Sequence, residues 1–265
     1  MRVAVAGATG RMGRAVLAAV YASDHAEISG ALVRPGDPAA GRDIGFLVGA
    51  EPWGVTVSTV AEDVIAGCDI LIDFTRPEAT AQYVEICAKL GRPAVIGTTG
   101  LPGALFERIR LLGEKTAFVV AANMSVGVNL ALHLLAIASR VLGDADVEIL
   151  EAHHRHKVDA PSGTALRMGE VVAAARGRAL ADVAVYDRHA QTHPRLPGTI
   201  GFASLRAGEI IGEHRVFFVL PTERLEIAHV AENRQVFAEG ALRAATFLST
   251  QGAGLFDMQD VLGLR

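Results

Sequence analysis

The sequence predicts an α/β chain in two parts: an N-terminal domain built on a parallel sheet, then an α+β domain with a mixed or antiparallel sheet. Three observations carry this. Short apolar runs alternate with amphipathic helical stretches as far as residue 121. A glycine-rich turn joins the first run to the first helix. After residue 125 the rhythm changes to a long helix, a strand, another helix and then three β-rich stretches joined by short turns.

The elements follow in order. Arg2 to Ala6 is a strand that runs into Gly7-Ala8-Thr9-Gly10-Arg11-Met12-Gly13, and helical spacing continues through Val16, Leu17 and Val20. Glu27 to Val33 is a second strand, stopped by Arg34-Pro35-Gly36. Residues 37–54 are rich in Gly and Pro and read as irregular, with a short strand at Val55 to Ser58. Asp69 to Asp73 is a buried strand, and Glu78 to Leu90 its following helix. Pro93 to Ile96 and Ala117 to Ala121 are strands separated by a helix at Leu105 to Leu112. In the second part, helices are expected near Val128 to Leu142, Gly163 to Ala175 and Ala238 to Leu248. Strands are expected at Val147 to Ala152 and at roughly 199–206, 213–220 and 224–231. Residues 176–197 read as the most loop-like stretch.

The chain has 265 residues, 51% hydrophobic and 20% charged, with a formal net charge of −4. That is a globular composition. Its mild acidity argues against nucleic acid as a partner, because phosphate binding favours a basic surface. Two cysteines, Cys68 and Cys87, have no CxxC or CxxH neighbour and are expected as small core residues in a reducing compartment. Glycines interrupt the first apolar run too early for a signal peptide. No run of about 18 apolar residues spans a membrane. A cytoplasmic protein with no membrane partner is the expectation.

Two motifs carry chemistry. Gly7, Gly10 and Gly13 form GxxGxxG, close to the dinucleotide fingerprint GxGxxG, and the motif follows a strand and opens a helix. Glycines let backbone approach a pyrophosphate, and the helix start offers N–H groups to it. A Rossmann-type domain holding a nicotinamide cofactor follows. An acid about 20 residues further on would bind the adenosine ribose of NAD. Val33 cannot, whereas Arg34 and Arg11 can attract a 2′-phosphate, which favours NADPH while leaving NADH use open.

The second motif is EAHHRHKVDAPSGTA at 151–165. Ser162 is a natural N-cap for a helix opening at Gly163 and Thr164, whose N–H groups suit a carboxylate. Lys157 adds a charge, His154 a hydrogen bond, and His153 a proton near working pH. The stretch therefore suits an acidic small molecule. A metal held by His153 and His156 is the weaker reading, since no dedicated third ligand accompanies them. No metal is expected.

GATGRMG (7–13), DFTRPE (73–78), IGTTG (96–100), AANMSVGVN (121–129), EAHHRHKVDAPSGTA, PGTIGFASLRAGEIIGEH (197–214) and GLFDM (254–258) together resemble the dihydrodipicolinate reductase family, also called 4-hydroxy-tetrahydrodipicolinate reductase, of lysine and diaminopimelate synthesis. The resemblance covers essentially the whole chain. It implies a cofactor domain of residues 1–124 and 235–265, and a substrate and oligomerisation domain of 125–234, commonly assembled as a homotetramer. It implies that His153 is the acid–base residue and Lys157 a proton donor. It places His154, Gly163 and Thr164 on a dicarboxylate substrate. Gly97, Thr98, Thr99 and Ala121, Ala122, Asn123, Met124 would line the nicotinamide, with Thr99 also near substrate. Val33 stands where some members carry a ribose-binding acid, and Met124 where others carry Phe. A hydride from one domain and a proton from the other would require the domains to close on each other. The competing readings are another reductase on the same scaffold, a metal hydrolase and a non-catalytic cofactor sensor.

Overall fold

The computed structural model describes residues 1–189 and 191–265. The chain divides into two compact units, Met1–Val126 with Arg234–Arg265, and Gly127–Asn233.

The first unit carries seven strands: β1 Arg2–Ala6, β2 Glu27–Leu32, β3 Val57–Ser58, β4 Ile70–Asp73, β5 Ala94–Ile96, β6 Ala117–Val120 and, from the C-terminal segment, β12 Gly254–Phe256. They lie in the order β12-β6-β5-β4-β1-β2-β3, and every pairing is parallel. The strand order reverses beside β1, the place where such sheets leave a crevice for a ligand. Helices α1 Arg11–Tyr21, α2 Ala61–Ala66, α3 Pro77–Leu90, α4 Gly103–Leu112, α8 Gln235–Leu248 and α9 Met258–Val261 complete the unit.

Side chains alternate along each strand, so both sheet faces are apolar and both are covered. Val3, Val5, Ile70 and Ile72 point to the face that α1 and α8 cover. Ala4, Ala6, Leu71 and Ile96 point to the other, with Val84, Cys87 and Ile109 from α3 and α4. Both cysteines are buried and free, and burial pushes the Cys68 thiol up to about 11.

The second unit carries α5 Val126–Val141, whose first residue belongs to unit one, then β7 Asp146–His153, α6 Gly163–Ala175, α7 Leu180–Val183, β8 Ala184–Val185, β9 Ile200–Arg206, β10 Gly212–Val219 and β11 Arg224–Ala231. Its sheet runs β11-β10-β7-β9-β8. β10 is antiparallel to both β11 and β7, while β9 is parallel to β7 and β8, so the sheet is mixed. Val147, Ile149, Ile200, Phe202, Val216 and Phe218 form its inner face, packed with Leu135 of α5 and Met168 and Val172 of α6.

Two stretches differ from the sequence expectation. Residues 176–197 contain α7 and β8, elements too short for periodicity to reveal. Arg195 ties the same stretch down, donating to the carbonyls of Val147 and Thr199 and pairing with Asp146 and Glu148. Residues 37–54 contain a 3-10 turn at Ile44–Leu47. Asp43 organises it by accepting from the N–H groups of Gly45, Trp53 and Gly54 at 2.7, 2.8 and 2.7 Å.

Candidate functional site

The predicted cofactor residues gather at the C-terminal ends of β1, β2, β5 and β6. The turn after β1 is anchored by Gly7 and Ala8, whose N–H groups both donate to the Leu32 carbonyl. Gly10 is the N-cap of α1 and supplies no side-chain cap. Arg11 and Met12 form the first turn, which holds no acidic residue. Unclaimed N–H groups and the lack of an acidic side chain within that turn suit a pyrophosphate. A Cβ on Gly13 would lie 2.1 Å from the Gly7 carbonyl oxygen, so α1 reaches the turn only because that position is glycine. These features fit a dinucleotide.

Val33 is buried, and Arg34 is exposed beyond it. Arg34-Pro35-Gly36-Asp37 is a tight turn, with Gly36 at φ +80 and the Asp37 N–H donating to the Arg34 carbonyl. It delivers Asp37 to the glycine loop, where the carboxylate accepts from the Thr9 hydroxyl at 3.1 Å. Sequence reading missed Asp37, because it opens a stretch read as irregular.

The 97–99 loop rests on a buried carboxylate. Asp73 is 1% exposed. It accepts from the hydroxyls of Thr75 and Thr80, each at 2.6 Å. The Thr98 hydroxyl lies 2.9 Å from that of Thr80 and accepts from the Thr75 N–H at 3.1 Å. Burial raises the Asp73 pKa, and the hydroxyl donors only partly oppose it. Gly97 faces the Phe74 ring so closely that a Cβ would come within 2.2 Å of it. Thr99 is exposed at the rim. Ala121 to Met124 follow β6, with the Ala121 N–H bonded to the Ile96 carbonyl and Met124 buried.

The second cluster lies in the second unit. Along the inner face of its sheet the apolar rows end and polar residues continue the same alternation: Glu151 and His153 on β7, Ser204 and Arg206 on β9, His214 on β10. Register puts Glu151 opposite His214 on one side and Ser204 on the other, with His153 opposite Arg206. The Glu151 side chain is fully buried. Arg206 grips it with two bonds of 2.7 and 2.9 Å, and the Ser162 N–H donates to it at 3.2 Å. His153 Nδ1 lies 2.5 Å from Glu151 Oε2. Burial works to raise the Glu151 pKa, but Arg206, Ser204 and His153 overcome it and hold the carboxyl at about 2. For His153, burial lowers the pKa and Glu151 opposes the fall.

Ser162 is the N-cap of α6, its hydroxyl accepting from the Ala165 N–H and lying 2.9 Å from His214 Nε2. Burial first, then the charge of His153, pushes His214 down to about 4, so it is neutral. Gly163 and Thr164 open the helix as expected from the sequence. Lys157 is held by Asp159 at 2.8 and 2.9 Å. His154 follows His153, its Nδ1 buried without a hydrogen-bond partner among the described residues. His156 is exposed near Glu209. No group of three or more His, Cys, Asp or Glu among the described residues is placed to hold a metal ion. None of their helices is long and apolar enough to cross a membrane.

Sequence reading found the histidines, Lys157 and the α6 cap. It missed Arg206 and His214, which stand 41 or more residues beyond Ala165. Only strand register brings them in, although period-2 alternation along 200–206 and 212–219 held the signal.

The chain matches known proteins over nearly its whole length. The family model for dihydrodipicolinate reductase, N-terminus, matches residues 1–124, and that for its C-terminus matches residues 127–262. A 4-hydroxy-tetrahydrodipicolinate reductase of Nitrosomonas europaea is 52% identical, covering 100% of this chain and 99% of its own. One of Methylococcus capsulatus is 53% identical over the same shares. Among solved structures, a dipicolinate-bound dihydrodipicolinate reductase from Paenisporosarcina sp. TG-14 superimposes with a TM-score of 0.77 at 25% identity, covering 98% of each chain.

Proposed function

The chain belongs to the dihydrodipicolinate reductase family, and from that premise we propose how its residues carry out the reaction. It is a nicotinamide-dependent oxidoreductase that reduces 4-hydroxy-tetrahydrodipicolinate to tetrahydrodipicolinate in lysine and diaminopimelate synthesis. The observation that supports our residue assignment is one histidine, His153, mounted on a buried carboxylate beside Lys157 and the start of α6.

When bound, the reduced nicotinamide supplies a hydride. The chain's own residues do the rest. Gly7 to Met12 hold the pyrophosphate on the α1 N-terminus. The loops at Gly97 to Thr99 and Ala121 to Met124 orient the nicotinamide, the first of them resting on Asp73. Lys157, His154 and the α6 start at Gly163 and Thr164 bind the carboxylates of a small dicarboxylate, while Ser162, its N–H given to Glu151 and its hydroxyl engaged by Ala165 and His214, holds that helix start in place instead of touching the ligand. Binding that charge at fixed donors orients the unsaturated ring before reaction. The 4-hydroxyl of the substrate leaves as water and the resulting unsaturated ring takes one hydride and one proton, so hydride, proton and water together balance the conversion. His153 donates that proton from Nε2, because Nδ1 is committed to Glu151.

The cofactor is NADPH in preference to NADH. Arg34 is the exposed cation at the end of β2, and a buried Val33 presents no acid there. Asp37 works against that preference by setting a carboxylate at Thr9. The assembly is a homotetramer built on the outer face of the second sheet, where Leu150, Leu205, Val219 and Val230 are exposed.

The test is oxidation of NADPH, and of NADH in parallel, with substrate generated freshly from pyruvate and aspartate semialdehyde by a synthase. Oxidation that depends on the synthase product is expected, faster at low NADPH than at equal NADH. Oxidation indifferent to that product would point to a different substrate.

A further inference from the structure

We propose that Glu151, locked by Arg206, is the positioning residue that fixes which nitrogen of His153 carries the transferable proton. The inference rests on the reading of His153 as proton donor and goes beyond it.

Several observations converge on this one carboxylate. Glu151 is fully buried, yet it stays ionised because Arg206 straddles both its oxygens. The same guanidinium also donates to the Asp159 carbonyl at 2.7 Å, so the loop carrying Lys157 closes over the pair. The Ser162 N–H uses Oε1 as well. Glu151 therefore has little freedom, and the carboxylate that His153 meets is fixed in place before any substrate arrives. A bond of 2.5 Å to Nδ1 selects the tautomer with hydrogen on Nδ1. Nε2 is then the atom that gains and loses the proton. Nε2 is also the atom that faces Gly212, where a Cβ would come within 3.1 Å of it. Glycine on the neighbouring strand keeps that side of the ring open.

The charges around His153 come from every element that packs on it. Glu151 stands on β7, Arg206 on β9, and Lys157 with Asp159 on the loop. His214 on β10 meets the His153 ring edge to face at 5.2 Å. His214 is neutral, so it neither competes as donor nor adds a standing charge. Arg206 and Lys157 disfavour the imidazolium, and Glu151 is the group that favours it. Without that carboxylate His153 would lose its proton at a lower pH.

Two measurements on the full chain test this. The first is a long-range nitrogen–proton correlation spectrum of protein labelled at histidine, with His153 assigned by its loss in His153→Gln. The neutral ring is expected to carry its hydrogen on Nδ1. A ring protonated on Nε2, or an even mixture, would overturn the proposal even in unaltered protein. The second is the pH profile of kcat in Glu151→Gln and Glu151→Asp. The high-pH limb should move about one unit lower in the Gln variant and return part-way in the Asp variant. The KM for the dicarboxylate should stay within about twofold. A limb that stays in place while kcat merely scales with the folded fraction would assign Glu151 a structural role only. Normal turnover in His153→Gln, with the Nδ1 tautomer still observed in unaltered protein, would instead refute the proton-donor reading.

Discussion

Among the described residues the two units each bury one carboxylate near the C-terminal end of a strand, and they treat it in opposite ways. Asp73 and Glu151 are both 1% exposed. Among the described residues Asp73 meets only hydroxyls and backbone N–H groups, and burial raises its pKa. Glu151 meets a guanidinium and an imidazole, and its pKa falls to about 2. Burial pushes both carboxyls the same way, so the partner chemistry decides the sign. Hydroxyl partners suit a scaffold under the 97–99 loop, where no charged side chain among the described residues faces the carboxyl. Cationic partners suit a counter-ion beside His153, the group proposed to donate the proton.

Removing each carboxylate should break the comparison most sharply. Glu151→Ala leaves the half-buried Arg206 guanidinium without its counter-ion at a fully buried site and is expected to cost about 3–5 kcal/mol. Asp73→Ala leaves hydroxyls that can pair with one another and should cost about 1–3 kcal/mol. Hydrogen exchange resolved to β7 and β4 measures each locally. Equal losses would mean that the guanidinium adds nothing.

Acid should sharpen the same contrast. His214 stays neutral in the fold down to about pH 4, below its ordinary 6.5, so its contribution to stability is lost as pH falls through that window. Glu151 adds a loss as pH falls from its ordinary 4.5 toward 2. Asp73 has a raised pKa and acts with the opposite sign, favouring the fold as it takes up a proton. Protection of β7 should therefore fall before protection of β4 in an acid titration. The reverse order would contradict these assignments.

Two glycines test the sites themselves. Gly97→Ala forces a methyl into the Phe74 ring, and overpacking of this kind costs about 1–3 kcal/mol. It should weaken cofactor binding, measured by calorimetry, and leave dipicolinate binding to the second unit intact. Gly212→Ala crowds His153 Nε2 and should lower kcat while cofactor affinity holds. The smallest effects belong to cofactor choice. Arg34→Ala should weaken NADPH binding several-fold and NADH binding little, and Asp37→Asn should tighten NADPH modestly.

Much of this was legible in the chain. The apolar runs of β1, β4 and β5 are buried on both faces, so they read as continuous hydrophobic strands without any partner known. The glycine turn and the 151–165 stretch are local in sequence, and local chemistry can be read from residue spacing. Arg206, His214 and Asp37 were not legible, because each acquires its role from a neighbour that only register or a turn supplies. α7 and β8 escaped for a different reason, being too short to show a period. The mixed character of the second sheet also needed the parallel β7–β9 pairing, which the short turns between β9, β10 and β11 do not announce.

The most direct test of the central claim separates binding from proton transfer in His153→Ala. Dipicolinate affinity, measured by calorimetry, should change little, since Lys157 and the α6 start remain. Substrate-dependent oxidation of NADPH should fall by about 10²–10⁴-fold in kcat, the range lost with a positioned acid. Near-normal turnover with intact binding would contradict the account, and the proton would have to come from elsewhere.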